Sequence, residues 1–302
     1  MKKLIVIIGP TAAKKTTLAH ELSKKVNGSI INGDVFQMYK GINVGINKPS
    51  LWSQNEIKYY LINNLSINDS YSIFDFKKDF QKSYDDIIND DKVPIFCGGS
   101  HLYIDSIVSG YNLQSDNIQH EYNKLLNWTD KQLVDYLKNY DPETLQKTIN
   151  NRHRQMRAVA LLKINNNIPK KEIELQNNKS DYETLIIMVN KDRSELYDII
   201  NKRCLEMISE NKWKNEIESL INQYGSKVKE FQSFKAIGYK EIANSILDNK
   251  EIDVGFIQQK TRRLAKHQLT WCNNKFSNKI IFEYGKDDID ILVKKIKEFY
   301  ND

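Results

Sequence analysis

Short apolar runs alternate with longer amphipathic stretches along the first part of the chain. Runs rich in β-branched residues predict buried strands over residues 4–8, 29–32, 93–97 and 184–189. A turn at Gly9 leads from the first strand into a helical pattern, and the same arrangement follows the third strand. Strands that alternate with helices predict an α/β fold, in which a parallel sheet is flanked by helices and the functional groups lie at the carboxyl ends of the strands.

The middle of the chain has a different character. Residues 113–180 are polar, rich in asparagine and helical in pattern. We predict that they form a mainly helical insertion domain, and that residues 1–112 and 181–302 together form the core, with a helical C-terminal part. The predicted buried face of the insertion consists of Leu125, Leu126, Leu133, Tyr136 and Leu137.

Composition and charge narrow the class of protein without deciding its function. The 302 residues are 40% hydrophobic and 28% charged, which is typical of globular domains and excludes disordered, collagen-like and fibrous proteins. The formal net charge of +6 suits a polyanionic partner but does not require one.

Two further features bear on where the protein works. The apolar run that opens the chain, before Gly9 and Pro10, is too short to span a bilayer. The three cysteines lie far apart and show no C-x-x-C spacing, so the sequence indicates neither a disulfide framework nor a structural zinc site; they are Cys97, Cys204 and Cys272. We therefore expect no membrane anchor and a location in the reducing cytoplasm.

A phosphate-binding element is predicted between the first strand and the first helix. Residues 9–16 match the pattern G-x-x-x-x-G-K-[ST], except that Lys14 occupies the second glycine position. The helix N-terminus attracts an anion, Lys15 can neutralise a phosphate, and the Thr16 hydroxyl can bind Mg²⁺. A side chain at position 14 can obstruct the phosphate, and a solvent-facing lysine pair at an ordinary turn is the alternative. The candidate phosphate ligands are Gly9, Pro10, Thr11, Ala12, Ala13, Lys14, Lys15 and Thr16.

A carboxylate and an amide follow the second strand, at the same predicted sheet edge as Lys15. Asp34 can accept a proton from an attacking nucleophile, and Gln37 can donate and accept hydrogen bonds together, as reading an adenine edge requires. Asp34 could instead cap a helix, and Gln37 could be an exposed helical residue. The phosphate element alone would equally suit a kinase that binds ATP.

The chain resembles a known family, the tRNA dimethylallyltransferases (tRNA isopentenyltransferases), in their short bacterial form. The resemblance runs nearly from end to end, and it is specific because several blocks keep their order and spacing. The blocks are GPTAAKKT at 9–16, GDVFQMYKGINVGINKP at 33–49, YSIFDF at 71–76, VPIFCGGSHLY at 93–103, NRHRQMRAVALL at 151–162, AIGYKE at 236–241 and TRRLAKHQLTW at 261–271.

The resemblance implies transfer of a dimethylallyl group from dimethylallyl diphosphate to N6 of the adenosine immediately 3′ of a tRNA anticodon, with release of diphosphate. It implies that residues 11–16 hold the diphosphate with Mg²⁺, that Asp34 is the general base and that Gln37 recognises the flipped base. Arg203 resembles the arginine that assists the diphosphate, and Lys15 and Thr16 complete the implied catalytic set. A non-catalytic tRNA-binding descendant is the first alternative, and a small-molecule kinase with a P-loop is the second.

The resemblance also implies an RNA surface. The segment 153–157 is similar to the Gln-Arg-x-x-Arg segment of the family, on an insertion that would clamp the anticodon stem-loop of tRNA. Paired arginines suit RNA phosphates, although a basic helix face is often only solvated. A second basic helical face is formed by Arg262, Arg263, Lys266 and His267. The implied tRNA ligands are Asp34, Val35, Phe36, Gln37, Ser100, His153, Arg154, Gln155, Met156 and Arg157, and we expect a monomer.

Overall fold

The structure is a computed structural model that describes residues 1–110, 116–169 and 180–301. The chain divides into two compact units: Met1–Ile104 with Tyr182–Asp302, and Asp105–Asp181. The boundary that the sequence predicts between residues 112 and 113 lies outside the described residues.

Six strands form the sheet of the first unit: β1 (Lys2–Ile8), β2 (Gly28–Asn32), β3 (Tyr59–Tyr60), β4 (Val93–Cys97), β5 (Tyr182–Asn190) and β6 (Ile280–Glu283). All neighbours pair in parallel, in the order β3-β2-β4-β1-β5-β6. The four predicted strands are confirmed as β1, β2, β4 and β5. The sequence pattern does not predict β3 and β6, because both are short edge strands with partly exposed residues.

Helices flank the sheet and form the second unit. In chain order, the described helices are α1 (Lys15–Val26), α2 (Leu51–Glu56), α3 (Ile73–Asn89), α4 (His101–Val108), α5 (Asp116–Lys124), α6 (Asp130–Tyr140), α7 (Pro142–Thr148), α8 (Arg152–Ile164), α9 (Arg193–Ser209), α10 (Lys212–Tyr224), α11 (Tyr239–Leu247), α12 (Val254–Lys275) and α13 (Ile289–Asn301). Short 3₁₀ turns occur at Val35–Met38, Ser226–Glu230 and Gln232–Lys235. The predicted α/β class is confirmed.

The packing of β1 and α1 fixes the turn between them. Every side chain of Leu4–Ile8 is fully buried, as expected for a central parallel strand that is covered on both faces. Leu18, Ala19 and Leu22 form the apolar face of α1 and pack against the sheet. The connecting turn, residues 9–14, is therefore held at the carboxyl edge of the sheet.

A second cluster of buried residues surrounds Trp213 and holds the loop that follows β2. A Cβ atom on Gly45 would lie 2.2 Å from the Trp213 ring, so only glycine fits there. Glu216 accepts the Asn43 N–H at 2.9 Å, and the Tyr239 hydroxyl donates to Glu216 at 2.7 Å and accepts the Gly45 N–H at 3.2 Å. Burial and Glu216 raise the pKa of Tyr239 well above its ordinary value, so the hydroxyl stays protonated and the loop stays fixed.

The second unit has a small core of its own. Leu125, Leu133 and Leu137 are buried there as predicted, and Tyr136 is partly buried. The prediction for Leu126 is wrong, because this side chain is 58% exposed. Leu126 directly follows Leu125 in the turn after α5, and successive residues of a turn point in different directions.

Three further features of the described residues concern membrane-spanning helices, cysteines and metal ligands. None of their helices combines the length and the apolar character needed to cross a membrane. The three cysteines are free and buried. In the same part of the chain, no three His, Cys, Asp or Glu side chains are grouped so that they could hold a metal ion.

Candidate active site

Three chain turns meet at the carboxyl edge of β1, β2 and β4. The Gly33 N–H donates to the Cys97 carbonyl at 2.7 Å, and the Ser100 N–H donates to the Gly33 carbonyl at 3.3 Å. The Gly98 N–H donates to the Ile7 carbonyl at 3.2 Å. A Cβ atom on Gly98 would lie 2.3 Å from the Gly33 carbonyl oxygen, so this close approach requires glycine.

The turn after β1 keeps a left-handed backbone despite its missing glycine. Lys14 is the N-cap residue of α1 with φ 66° and ψ 29°, and Ala12 has φ 68°. A non-glycine residue in this region costs about 1–2 kcal/mol. The Lys14 ammonium lies 5.3 Å from the centroid of the Tyr284 ring. Lys14 thus adopts a conformation that glycine favours, and its side chain lies over an aromatic ring.

Gly9 opens this turn in a conformation that excludes other residues. Its φ is 146°, and a Cβ atom there would lie 2.3 Å from the Val189 carbonyl oxygen. The Ala13 N–H donates to the Pro10 carbonyl at 3.3 Å and closes the turn. The start of α1, including the partly buried Thr16, therefore has a defined backbone path.

Lys15 and Asp34 place opposite charges at the same edge of the sheet. The Lys15 ammonium donates to the Pro10 carbonyl at 2.8 Å. Burial lowers the pKa of Lys15, although electrostatic interactions with Cys97 and Asp34 raise it. Burial raises the pKa of Asp34, although the Lys15 charge and the Phe36 N–H lower it. A carboxylate with a raised pKa beside a cation is suited to accept a proton next to a bound anion.

The backbone of Asp34 is held by the strand that precedes it. Its carboxylate accepts the Phe36 N–H at 3.2 Å and caps the 3₁₀ turn, as the capping alternative predicts. The Asn32 side chain accepts the Asp34 N–H at 3.0 Å and donates to the Asp34 carbonyl at 2.9 Å. Asn32 is 4% exposed. Asn32 is not among the site residues predicted from the sequence, although a polar side chain at the end of an apolar strand is the signal for it.

Gln37 is braced by the loop that follows it. It is 8% exposed, which rules out the exposed helical residue of the alternative. Its Nε2 donates to the carbonyls of Ile46 and Asn47 at 3.4 and 3.3 Å. The Lys48 ammonium donates to Asn63 at 2.6 Å, and burial lowers the pKa of Lys48 to about 8. The two Nε2 hydrogen bonds fix the orientation of the Gln37 amide.

The other predicted residues of this edge connect the turns. The Ser100 hydroxyl accepts the Val35 N–H at 3.4 Å, which joins the turn after β4 to the turn after β2. Val35 and Phe36 are partly buried and pack against the Trp213 cluster. Both residues therefore support the turn that carries Asp34.

Arg203 lies on α9 as a partly buried cation. Its guanidinium forms no hydrogen bond or ion pair with any residue that the structure describes. Burial lowers its pKa, and the neighbouring groups that raise the pKa are Cys204 and Tyr239 rather than carboxylates. A desolvated cation without a carboxylate partner is a candidate ligand for an anion.

The structure adds Gln268, which is not among the site residues predicted from the sequence. This residue lies on α12, is 5% exposed, and contacts the turns after β1 and β4. Its sequence signal is a polar residue on the buried face that also carries Ala265 and Cys272. Nearby on α12, Trp271 stacks on His101 with ring centroids 4.3 Å apart.

The predicted RNA ligands of α8 fall into two groups. His153, Arg154 and Arg157 are exposed. Gln155 and Met156 are 3% exposed, and the Gln155 amide donates to a backbone carbonyl at 3.3 Å. Direct contact with RNA is therefore open to the first group, whereas the second group supports the helix.

On α12, Arg263, Lys266 and His267 are exposed, whereas Arg262 is partly buried and donates to Asn201.

Comparisons with known proteins agree on one family. The model of the IPP transferase family matches residues 37–275. A relative from Malacoplasma penetrans, named tRNA dimethylallyltransferase, is 38% identical over 100% of this chain and 99% of its own length. A relative of the same name from Mycoplasmoides gallisepticum is 36% identical over 99% of this chain and 97% of its own length.

A solved structure extends the likeness to three dimensions. The crystal structure of tRNA delta(2)-isopentenylpyrophosphate transferase from Staphylococcus epidermidis is 32% identical, with a TM-score of 0.70, over 100% of this chain and 99% of that chain. The family model covers most of the chain, and the relatives match it nearly from end to end. The chain therefore belongs to the IPP transferase family.

Proposed function

We propose that the chain transfers a dimethylallyl group from dimethylallyl diphosphate to N6 of the adenosine 3′ of the anticodon in tRNA, releasing diphosphate. Its family and its relatives, which are named tRNA dimethylallyltransferase, make it a transferase that moves a prenyl group to tRNA. The observation that carries the finer proposal is the placement of Lys15 and Asp34, oppositely charged and desolvated, at one edge of the sheet.

The turn after β1 would bind the diphosphate of the donor. The free N–H groups at the start of α1 and the positive end of its dipole favour an anion there. Lys15 would neutralise the negative charge that develops on the leaving diphosphate. Arg203, which has no anionic partner among the described residues, would bind the same group.

Mg²⁺ fits this site as a partner of the diphosphate. Mg²⁺ commonly keeps several waters and takes few protein ligands besides substrate phosphates, which suits a site without a carboxylate cluster in the described residues. The Thr16 hydroxyl would hold the ion, and bound Mg²⁺ would add neutralising charge to the diphosphate.

Asp34 would act on the acceptor. The N6 amine attacks C1 of the dimethylallyl group, so that an N–C bond forms while the C–O bond to diphosphate breaks and its electron pair leaves with the diphosphate. The N6 proton passes to the Asp34 carboxylate. A flipped adenine would reach the donor. The Gln37 Oε1 would accept a hydrogen bond from the base edge, because the Gln37 Nε2 already donates to two backbone carbonyls.

Exposed basic residues would bind the RNA backbone. Arg154 and Arg157 lie three positions apart on α8, and Arg263 and Lys266 repeat that spacing on α12. Residues at this spacing share a helix face, and their contacts with phosphate would weaken as salt increases. The insertion would clamp the anticodon stem-loop through α8.

The two alternatives gain no support from the site. The non-catalytic alternative requires that Lys14 prevents the turn after β1 from binding diphosphate. Lys14 nevertheless adopts the left-handed conformation that glycine favours. The kinase alternative has no specific observation in its favour.

The proposed reaction is tested by analysis of its product. Purified protein is incubated with unmodified tRNA, Mg²⁺ and dimethylallyl diphosphate, and the digested nucleosides are analysed by mass spectrometry. We expect a prenylated adenosine, and none without donor or with a tRNA that has guanosine 3′ of the anticodon. Binding of tRNA without prenylated product would contradict the proposal and favour the non-catalytic alternative.

The role of Asp34 predicts a selective loss of turnover. In Asp34→Asn, we expect kcat to fall by about a thousandfold because the amide cannot take the proton, while the Kd for tRNA is retained. The exposed Asp86→Asn on α3 is the matched control and should leave kcat unchanged. Equal kcat values for Asp34→Asn and the wild type would exclude Asp34 as the base.

The pH dependence of kcat follows from the same carboxylate. Asp34 works as a base only when ionised, and burial raises its pKa above the ordinary 3.8. The wild-type kcat should therefore fall on acidification around an apparent pKa above that value. An acid limb at or below the ordinary pKa would contradict the assigned environment of Asp34.

Arg203 is expected to contribute mainly to donor binding. In Arg203→Gln, we expect the KM for dimethylallyl diphosphate to rise about tenfold or more, since charge-assisted hydrogen bonds to the diphosphate are lost. The control is Arg193→Gln on the same helix, where the exposed arginine donates to the Tyr197 hydroxyl at 2.8 Å. An equal KM in both variants would remove Arg203 from the diphosphate site.

A further inference from the structure

A single buried amide joins two of the three turns at the active edge. We infer that Gln268 is a positioning residue for the transfer reaction: it fixes the diphosphate-binding turn against the turn after β4. The inference rests on the proposed function, because it takes the turn after β1 as the diphosphate site.

Both ends of the Gln268 amide are engaged. Its Oε1 accepts the Thr11 N–H at 2.7 Å, and its Nε2 donates to the Gly99 carbonyl at 2.9 Å. Gln268 is 5% exposed, so an amide that left either group unpaired would be strongly disfavoured. The donor on Thr11 and the acceptor on Gly99 also fix which way the amide faces.

The space around this contact is closely filled. A Cβ atom on Gly99 would lie 2.6 Å from the Gln268 Nε2 and 3.7 Å from the Lys15 Nζ. Gly99 therefore allows α12 to reach the turns, and it brings the amide into the surroundings of Lys15. A substitution at Gln268 would therefore alter the surroundings of Lys15, where the diphosphate would bind.

The turn after β1 needs an external support in this chain. Ala12 and Lys14 both have left-handed backbones, and strained residues persist where the surrounding structure holds them. The Gln268 bond to Thr11 lies one residue before Ala12 and holds the turn from α12, an element remote in sequence. Transfer between two bound reactants is sensitive to small errors in position, so we expect Gln268 to affect the donor step.

The first test removes both hydrogen bonds and keeps the shape of the side chain. For Gln268→Met, we expect kcat/KM for dimethylallyl diphosphate to fall about tenfold or more, while the Kd for tRNA is retained in protein that is still folded. The control is Gln259→Met, an exposed position on the same helix. A kcat/KM for Gln268→Met within twofold of the control would overturn the inference.

A second variant separates positioning from general stability. In Gln268→Glu, the carboxylate still accepts the Thr11 N–H but repels the Gly99 carbonyl, and protonation restores a donor. Because burial raises a carboxyl pKa, we expect the ratio of variant to wild-type kcat/KM to rise about fivefold or more as the pH falls from about 8 to about 6. A ratio independent of pH, with a loss that tracks a lowered Tm, would assign Gln268 a structural role only.

Failure of the proposed function is distinguishable from failure of the inference. If the wild type forms no prenylated adenosine, the proposed function is wrong. The positioning role of Gln268 is then tested by calorimetry, which measures the binding of inorganic diphosphate with Mg²⁺ to each variant. Weaker binding by folded Gln268→Met than by Gln259→Met supports its role in positioning the turn. Equal binding overturns that role.

Discussion

The parallel pairing of β1, β4 and β2 is the constraint on which the rest of the site depends. Because these neighbouring strands run in the same direction, the turns that follow them emerge at one edge and bring together residues that are distant in sequence. Ile95 of β4 aligns with Ile5 of β1 and with Ile30 of β2. A shift of one residue in either register would move a turn by about 3.3 Å and reverse the alternation of side chains, which would separate Lys15 from Asp34.

Several charged side chains of the candidate site are partly or fully desolvated, which lowers the stability of the fold. Burial disfavours the charged forms of Lys15 and Asp34, and Arg203 is partly buried without an anionic partner in the described residues. Groups of this kind are destabilising unless a partner compensates them. In the function that we propose, a bound diphosphate would supply negative charge to both cations and so compensate their burial.

The sequence predicts the fold where a pattern is long or strongly apolar. The runs at 4–8 and 93–97 predict central strands because every residue in them is apolar, whereas β3 and β6 are too short to show a period. The placement of Asp34 at the sheet edge also follows from order along the chain. The pattern around Leu126 fails because local periodicity ends with the helix, and the turn then sets the direction of the side chain.

Contacts between distant segments lie beyond such patterns. Gln268 meets Thr11 and Gly99 through the packing of α12 against the turns after β1 and β4, so its neighbours in sequence do not reveal its partners. Likewise, only the folded structure shows that Arg203 has no anionic partner among the described residues. Conversely, the motif that marks residues 153–157 does not show that Gln155 and Met156 face the core of the insertion.

The most direct test of this account is a crystal structure of the protein with inorganic diphosphate and Mg²⁺. We predict diphosphate oxygens on the N–H groups of residues 14–16, within hydrogen-bonding distance of the Lys15 ammonium and the Arg203 guanidinium, with Asp34 facing the same space. Diphosphate bound elsewhere on the chain, with the turn after β1 unoccupied, would contradict the central claim that this edge of the sheet is the site of prenyl transfer.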